Sequence, residues 1–224
     1  MQSLHNERFW LNTQLRSLPV KTGDIFFRLG HETYCGLPFS QLVAAATQSK
    51  YSHASVALVD RDEIWLAEVN LTGTSQIRFV DWADFCYGDF EVWRPTYDFD
   101  HVPALDLAFR EFVNLDEDYD LKFDYKSTRR VYCTKSVEVI WELADLPPLC
   151  KPMLAKDVMA WWAYQLLRLG DPIARLAGAS IPLWEPLWFV GNEKMGLMSS
   201  PNLTRVYSSD NPPMIFKSEI ERPE

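Results

Sequence analysis

Two apolar runs of eight residues, separated by only two residues, constrain the fold of this chain more than any other feature. Residues 53–60 and 63–70 both have the composition of strands. The short gap predicts an antiparallel hairpin that turns at Arg61 and Asp62, although the glycine favoured in such turns does not occur there. In this hairpin the numbers of facing residues sum to about 123, so the sequence itself predicts the register of the two strands.

The rest of the chain predicts further short strands and separate helices. Strands are predicted at residues 23–28, 77–80, 90–94 and 203–207. Helices are predicted at residues 3–18, 38–48, 102–115 and 153–169, and from Cys133 to the pair Pro147 and Pro148. The very apolar helix at 153–169 is expected to bury most of its surface, either against the domain or against a partner. Antiparallel strands with segregated helices indicate an α+β fold.

Composition and charge exclude several classes of protein. Hydrophobic residues make up 47% of the 224 residues, which predicts a folded core. The net charge of -9 argues against a nucleic-acid partner and against adhesion to an anionic membrane surface. The sequence shows neither a signal peptide nor an apolar run of ~20 residues that could span a membrane. A cytoplasmic location is expected, unless a secretion system delivers the protein, and nothing indicates an oligomeric state.

Cys133 is the first candidate for a chemical role, because it opens a predicted helix. A helix N-terminus and a nearby imidazole both favour the thiolate, which is the nucleophilic form of cysteine. Polar residues, Thr134, Lys135 and Ser136, follow it rather than an apolar shell. The alternative is a small buried hydrophobic residue, which is the commonest role of a free cysteine.

His53 and Glu68 are the candidates for its partners. The hairpin register brings His53 opposite the neighbourhood of Asn70, with Glu68 about one diagonal away on the same face. Glu68 is therefore able to orient the imidazole, as the third member of a catalytic triad does. The alternatives are a hydrogen-bonded histidine at a strand edge and a solvated glutamate at a strand end.

Zinc binding is a competing use of cysteine and histidine. His31 and Cys35 have a spacing that brings two ligands together, but no CxxC or HExxH motif accompanies them. The four cysteines are scattered, which favours free thiols over disulfides in a cytosolic chain. Neither a metal nor an organic cofactor is therefore expected.

Several of these segments together resemble the circularly permuted NlpC-type papain-like hydrolases, in particular the YiiX/YebB-like branch. The matching features are Gly23 and Asp24 before an apolar strand, Ser52 and His53 at the start of another strand, an acid on the next strand, and a Tyr-Cys-Thr-Lys segment that opens a helix. The order histidine, acid, cysteine is that of the permuted enzymes. The resemblance extends over residues 20–145.

The resemblance implies a permuted papain-like fold with the nucleophile at a helix N-terminus. It implies that Cys133 is the nucleophile, His53 the base and Glu68 its orienting acid, in a cysteine hydrolase that forms an acyl-enzyme. The implied substrate is an amide bond in a cell-wall (murein) peptide. Related chemistry on lipids, as an acyltransferase or lipid-ester hydrolase, is the first alternative, and a non-catalytic binding module is the second.

Residues 150–195 match no part of the resemblance. We expect one domain over residues 1–224, in which this helical and Trp-rich segment is an insertion that borders the cleft of Cys133. A small peptide or lipid substrate is expected, and the residues predicted to contact it are Tyr51, Tyr132, Lys135, Trp184 and Trp188.

Overall fold

An antiparallel sheet forms the centre of the computed structural model of this protein. The structure describes residues 18–30, 32–34, 36–61, 63–85, 90–96, 102–115, 119–120, 123, 130–176, 183 and 185–209. The strands within these residues are β1 (Ile25–Arg28), β2 (His53–Asp60), β3 (Glu63–Asn70), β4 (Gly73–Arg78), β5 (Phe90–Pro95), β6 (Met153–Leu154), β7 (Pro186–Leu187) and β8 (Leu203–Ser208). Six of them form the main sheet in the order β4-β3-β2-β1-β5-β8, and β6 pairs with β7. The predicted α+β class with an antiparallel sheet is confirmed.

The central hairpin has the predicted register. Val56 faces Ala67 and Asp60 faces Glu63, so facing numbers sum to 123 in strands that have the predicted bounds. Strand β1 lies on the other side of β2 and places Arg28 directly opposite His53. Consequently, the start of β2 lies in the interior of the sheet, between two neighbouring strands.

Helices cover both faces of this sheet. They are α1 (Phe39–Ala46), α2 (Phe79–Phe85), α3 (Val102–Asn114), α4 (Cys133–Leu143), α5 (Ala155–Val158) and α6 (Trp161–Leu176). Side chains alternate along a strand, so Phe27 packs into a core that includes residues of α3 and α4, whereas Phe26 packs into a second core with Trp82 of α2. Burial of both faces explains the consecutive buried apolar residues of β1 and β2, at 25–27 and 56–58.

The strand predicted at residues 77–80 is only half correct. Strand β4 ends at Arg78, and Phe79 begins helix α2. The helical turn directs Phe79 and Trp82 to one side, where they meet the rings of Phe26 and Phe90 at centroid separations of 5.0 to 5.6 Å. Packing of these aromatic rings favours the helix over the β-propensity of the local sequence.

The single helix predicted at residues 153–169 is wrong. The segment starts as strand β6, which pairs with β7, and it breaks at Met159 before α6 begins at Trp161. The domain itself does not bury this apolar surface, since Trp161 is 76% exposed and Leu169 is 78% exposed, and burial against a partner stays a prediction. The backbone N–H of Ala160 donates to the carbonyl of Ala46, which anchors the break to helix α1.

The predicted helix at residues 3–18 lies almost wholly outside the described residues. Among the residues that the structure describes, no helix is both long enough and apolar enough to cross a membrane.

Candidate active site

His53 and Glu68 form a direct side-chain contact at the end of the central hairpin. His53 is the first residue of β2, and Glu68 lies near the end of β3. The two side chains share the face that carries Ser55 and Leu66, because facing numbers in the hairpin sum to 123. The Nε2 atom of His53 lies 2.9 Å from Oε2 of Glu68, and both residues are buried. The contact with Glu68, on the neighbouring strand, therefore fixes the orientation of the His53 imidazole.

Other donors hold the Glu68 carboxylate in place. The hydroxyl of Ser55 donates to Oε2 at 3.2 Å, and the indole Nε1 of Trp82 donates to the same oxygen at 3.0 Å. The guanidinium of Arg28 lies 3.7 Å from Oε2 and stacks over the Trp82 ring at 5.5 Å from its centroid. A buried carboxylate requires such partners, since an unpaired charge away from water is costly.

These contacts displace the pKa values of both partners. Burial raises the pKa of Glu68, but the charge and hydrogen bond of His53, aided by Arg28, lower it to about 2. Burial and the Arg28 charge lower the pKa of His53, but Glu68 and a hydrogen bond with the Cys133 thiol outweigh them and raise it to about 9. A protonated His53 and an ionised Glu68 therefore coexist at neutral pH.

Cys133 reaches this pair from the helical side. It is the first residue of α4, after Tyr132 in an extended conformation, and its thiol donates to the Ser52 carbonyl at 3.4 Å. Of the two ring nitrogens of His53, Nε2 lies against Glu68, and the Cys133 thiol is near enough to contribute to the raised pKa of the imidazole. The arrangement places a thiol, an imidazole and a carboxylate in series at a helix N-terminus.

The structure adds site residues that the sequence analysis did not identify. Glu32 Oε1 lies 4.0 Å from Nδ1 of His53, and the Ser40 hydroxyl donates to the other oxygen of Glu32. Burial raises the pKa of Glu32, but His53 and Ser40 outweigh it, so the pKa lies below its ordinary value. Tyr119 lies with Cys133 in the wall of the same cavity, and burial holds the pKa of its hydroxyl well above 10.

No local signal marks these additional residues. Arg28 is the last residue of a strand that the sequence predicted. Its pairing with His53 could not be predicted, because it depends on which strand lies next to β2 in the sheet. Glu32, Trp82 and Tyr119 lie outside the hairpin and reach the site only through tertiary packing.

A cavity of about 290 Å³ opens beside Cys133 and His53. Helix α1, the segment before β2 and helix α6 contribute to its wall, as do residues 187–190. Part of the segment 150–195 therefore borders the cavity that contains Cys133, through Met159, Trp162, Leu187 and Trp188.

The residues predicted to contact substrate differ in position. Tyr51, Tyr132 and Trp188 line the cavity, and the backbone N–H of Trp188 donates to the Tyr132 hydroxyl at 2.9 Å. Lys135 requires a correction, because it is buried on the helix and is not one of the described residues that line the cavity. Its ammonium donates to the Arg130 carbonyl at 3.3 Å, since the first turn of α4 directs it towards the preceding loop. Trp184 lies outside the described residues.

Both members of the alternative zinc pair, His31 and Cys35, also lie outside the described residues.

This protein is similar in fold to a protein of known structure. No protein-family model matches the sequence, and no curated protein matches it significantly. The crystal structure of the metalloprotein YiiX from Escherichia coli O157:H7 superposes with a TM-score of 0.65 at 20% sequence identity. The match covers 86% of this chain and 98% of the YiiX chain. The chain therefore has the fold of YiiX.

Proposed function

We propose that this protein is a cysteine-dependent hydrolase that cleaves an acyl bond through Cys133, His53 and Glu68. The observation that supports the proposal best is the buried pair of His53 and Glu68, with Nε2 and Oε2 2.9 Å apart, beside Cys133 at the wall of a cavity. A thiol becomes an effective nucleophile when an imidazole holds its proton and a third group orients the imidazole. His53 and Glu68 are the groups proposed for these two roles.

The proposed reaction has two steps. The Cys133 thiolate attacks the carbonyl carbon of the acyl group, and the leaving group takes a proton from the His53 imidazolium as its bond to carbon breaks. His53 then accepts a proton from water as the water attacks the thioester, the S–C bond breaks, and the carboxylic acid leaves with the Cys133 thiolate and the His53 imidazolium restored. Glu68 keeps the imidazole oriented and stabilises its positive charge throughout.

Two kinds of donor are available for the oxyanion that forms on the carbonyl oxygen. Backbone N–H groups at the start of α4 have no partner within the helix, and the helix dipole favours negative charge at this end. Tyr119 lines the same cavity as Cys133, and its hydroxyl is the second candidate donor. Donors fixed in advance are a large source of transition-state stabilisation.

The relation to permuted papain-like enzymes belongs to this proposal. The order of the three residues along the chain, histidine then acid then cysteine, is the order that the resemblance implies for the permuted NlpC-type hydrolases. The shared fold of YiiX, which is of the branch named in that resemblance, supports this assignment.

A metal centre does not fit the described part of this chain, although YiiX is called a metalloprotein. No group of three or more histidine, cysteine, aspartate or glutamate residues is arranged there to hold an ion. The nearest acids are engaged with protein groups, since Glu68 accepts from Ser55 and Trp82 and Glu32 accepts from Ser40. The proposed reaction therefore relies on protein side chains.

Selective alkylation tests the nucleophile. Brief exposure to iodoacetamide near neutral pH should label Cys133 at least about tenfold faster than Cys150, as measured by mass spectrometry of peptides. Cys150 is a suitable internal control, because burial and the neighbouring Glu138 raise the pKa of its thiol. Replacement of His53 by alanine should slow labelling of Cys133 but not of Cys150. Equal labelling of the two thiols would contradict the proposal, and fast labelling without turnover of any ester or amide would favour a binding module.

The pH dependence of turnover tests the imidazole. Because the pKa of His53 is raised to about 9, the imidazolium is present at neutral pH and is lost as the pH rises through that value. We expect kcat/KM to fall along a limb near pH 9. In Glu68→Gln this limb should move to lower pH, because the carboxylate that raises the pKa is gone. A limb at the same pH in both proteins would contradict the assignment.

A further inference from the structure

We propose that the cavity beside Cys133 binds one long acyl chain, so that the substrate of the site is an acyl lipid. This inference rests on the proposed function, because the bound chain delivers its carbonyl to Cys133. It chooses between the peptide and lipid substrates that the sequence left open.

The chemistry of the cavity wall favours a hydrocarbon chain. Away from Cys133 the lining side chains are almost all apolar, contributed by α1, by α6 and by residues 187–190; they include Val43, Ala46, Ala163, Leu167, Leu187 and Val190. A volume of about 290 Å³ is close to the lower limit of ~300 Å³ for sites that bind small ligands. A cavity of this size with such a wall favours a flexible hydrocarbon chain over a polar peptide.

The charged groups in the cavity wall favour an acyl lipid over a murein peptide. Glu32, His53 and Cys133 lie together at one end of the cavity, and the Glu32 carboxylate lies 4.0 Å from the His53 ring. Apart from the His53 imidazolium, no cationic side chain is found among the described residues that line it. A murein peptide carries carboxylates, which would need cationic partners or strong donors inside the cavity. An acyl lipid requires polar groups only at its carbonyl, and Glu32, His53 and Cys133 are available for that role.

Apolar side chains lie exposed at the mouth of the cavity. Leu42 of α1 and Trp162 and Leu166 of α6 line the cavity and are nevertheless 46%, 48% and 62% exposed. Leu169 follows Leu166 on the same face of α6, since residues 162, 166 and 169 are one or two helical turns apart. An exposed apolar rim that continues into an apolar cavity lets a chain leave a lipid aggregate without crossing water.

The bond changes follow the mechanism already proposed. For an ester, the thiolate forms the S–C bond, the C–O bond breaks, and the alcohol leaves with the proton from His53. Water then cleaves the thioester, which returns the thiol and releases the fatty acid.

The test compares two adjacent alanines on α1. Ala46 lines the cavity, whereas Ala45 is exposed on the same helix and is not among the lining residues. Ala46→Phe fills part of the cavity, and Ala45→Phe makes the same chemical change outside it. Each protein is assayed with p-nitrophenyl esters of acetic, octanoic and palmitic acid, after its fold has been checked by circular dichroism.

In the wild type, kcat/KM should rise by about two- to fourfold for each methylene that enters the cavity. Ala46→Phe should lower the ratio of octanoyl to acetyl turnover by about tenfold or more, while Ala45→Phe leaves it unchanged. Wild-type turnover that does not depend on chain length, or an equal effect of the two substitutions, would overturn the acyl-chain site. Turnover of the acetyl ester that still requires Cys133 would in that case leave the proposed chemistry intact.

A binding measurement separates the acyl-chain site from catalysis. Cys133→Ala should bind the fluorescent methyl ester of cis-parinaric acid saturably, and adding Ala46→Phe should weaken the binding by about tenfold or more in Kd. Adding Ala45→Phe instead should leave the Kd unchanged. Absence of saturable binding to Cys133→Ala would overturn the inference, whatever the activity of the wild type.

Discussion

Replacement of Cys133 by alanine is expected to lower kcat on acyl esters by at least about a thousandfold, because the variant cannot form the thioester. The residual rate would come from binding and from the oxyanion donors at the start of α4. Cys133 is small and borders the cavity, so the loss of its sulfur should change the stability little. The measurement is turnover of p-nitrophenyl octanoate, with urea unfolding to verify the fold.

The matched control is Cys150→Ala. Cys150 lies after α4, where its backbone N–H and its thiol both donate to Glu138, and it is not among the described residues that line the cavity. This variant should keep nearly all of its activity. With the wild type, a rapidly quenched reaction should also show a covalent acyl adduct on the peptide that contains Cys133. Full activity of Cys133→Ala would rule out the proposed nucleophile.

Replacement of Glu68 by glutamine is expected to have the second largest effect. The amide is isosteric but uncharged, and its NH₂ group is a donor facing the donors of Ser55 and Trp82. Loss of the orienting charge should lower kcat on the order of a hundredfold to ten-thousandfold. Arg28 and His53 also lose their buried counter-charge, so the free energy of unfolding should fall on the order of 3 kcal/mol.

The stability difference should depend on pH in a definite direction. Folding lowers the pKa of Glu68 from 4.5 to about 2. Ionised Glu68 therefore stabilises the folded state fully above pH 4.5, and this stabilisation is lost as the pH falls through 2. His53, whose pKa rises from 6.5 to about 9, contributes fully below pH 6.5, and this contribution is lost as the pH rises through 9. Urea unfolding between pH 4.5 and 6.5 should therefore show the largest difference between wild type and Glu68→Gln.

Glu91→Gln is the control for this experiment. Glu91 is buried on β5, where it accepts hydrogen bonds from the indole of Trp93, from Ser208 and from Arg205. Its replacement should also destabilise the protein, without a specific loss of turnover in the molecules that remain folded. Equal kcat values for Glu68→Gln and Glu91→Gln would show that Glu68 acts through stability alone.

The sequence predicted those parts of the fold that depend on local pattern. The β2–β3 hairpin has the predicted bounds and register, because two short strands joined by two residues can pair in few ways. That register also accounts for Glu68 meeting His53. Helix α4 begins at Cys133 as predicted, after a residue in extended conformation and before a run with helical periodicity.

Local pattern failed where packing between distant segments decides the structure. Phe79 and Val80 resemble a strand but form the start of α2, because Phe79 and Trp82 complete an aromatic cluster with β1 and β5. The apolar helix predicted at residues 153–169 breaks near Ala160, where the chain bonds to α1. Its exposed residues at the cavity mouth show that apolar composition alone does not determine burial.

By itself, the sequence determined the antiparallel hairpin, the helix start at Cys133 and the pairing of His53 with Glu68, since each depends on neighbours within about 15 residues. Only the tertiary structure decided that Arg28 faces His53, that Glu32 and Tyr119 reach the site, and that α1 and α6 enclose an apolar cavity. Those contacts join segments far apart in the chain. Their partners are selected by strand order and by the packing of helices on the sheet, which no local pattern of residues specifies.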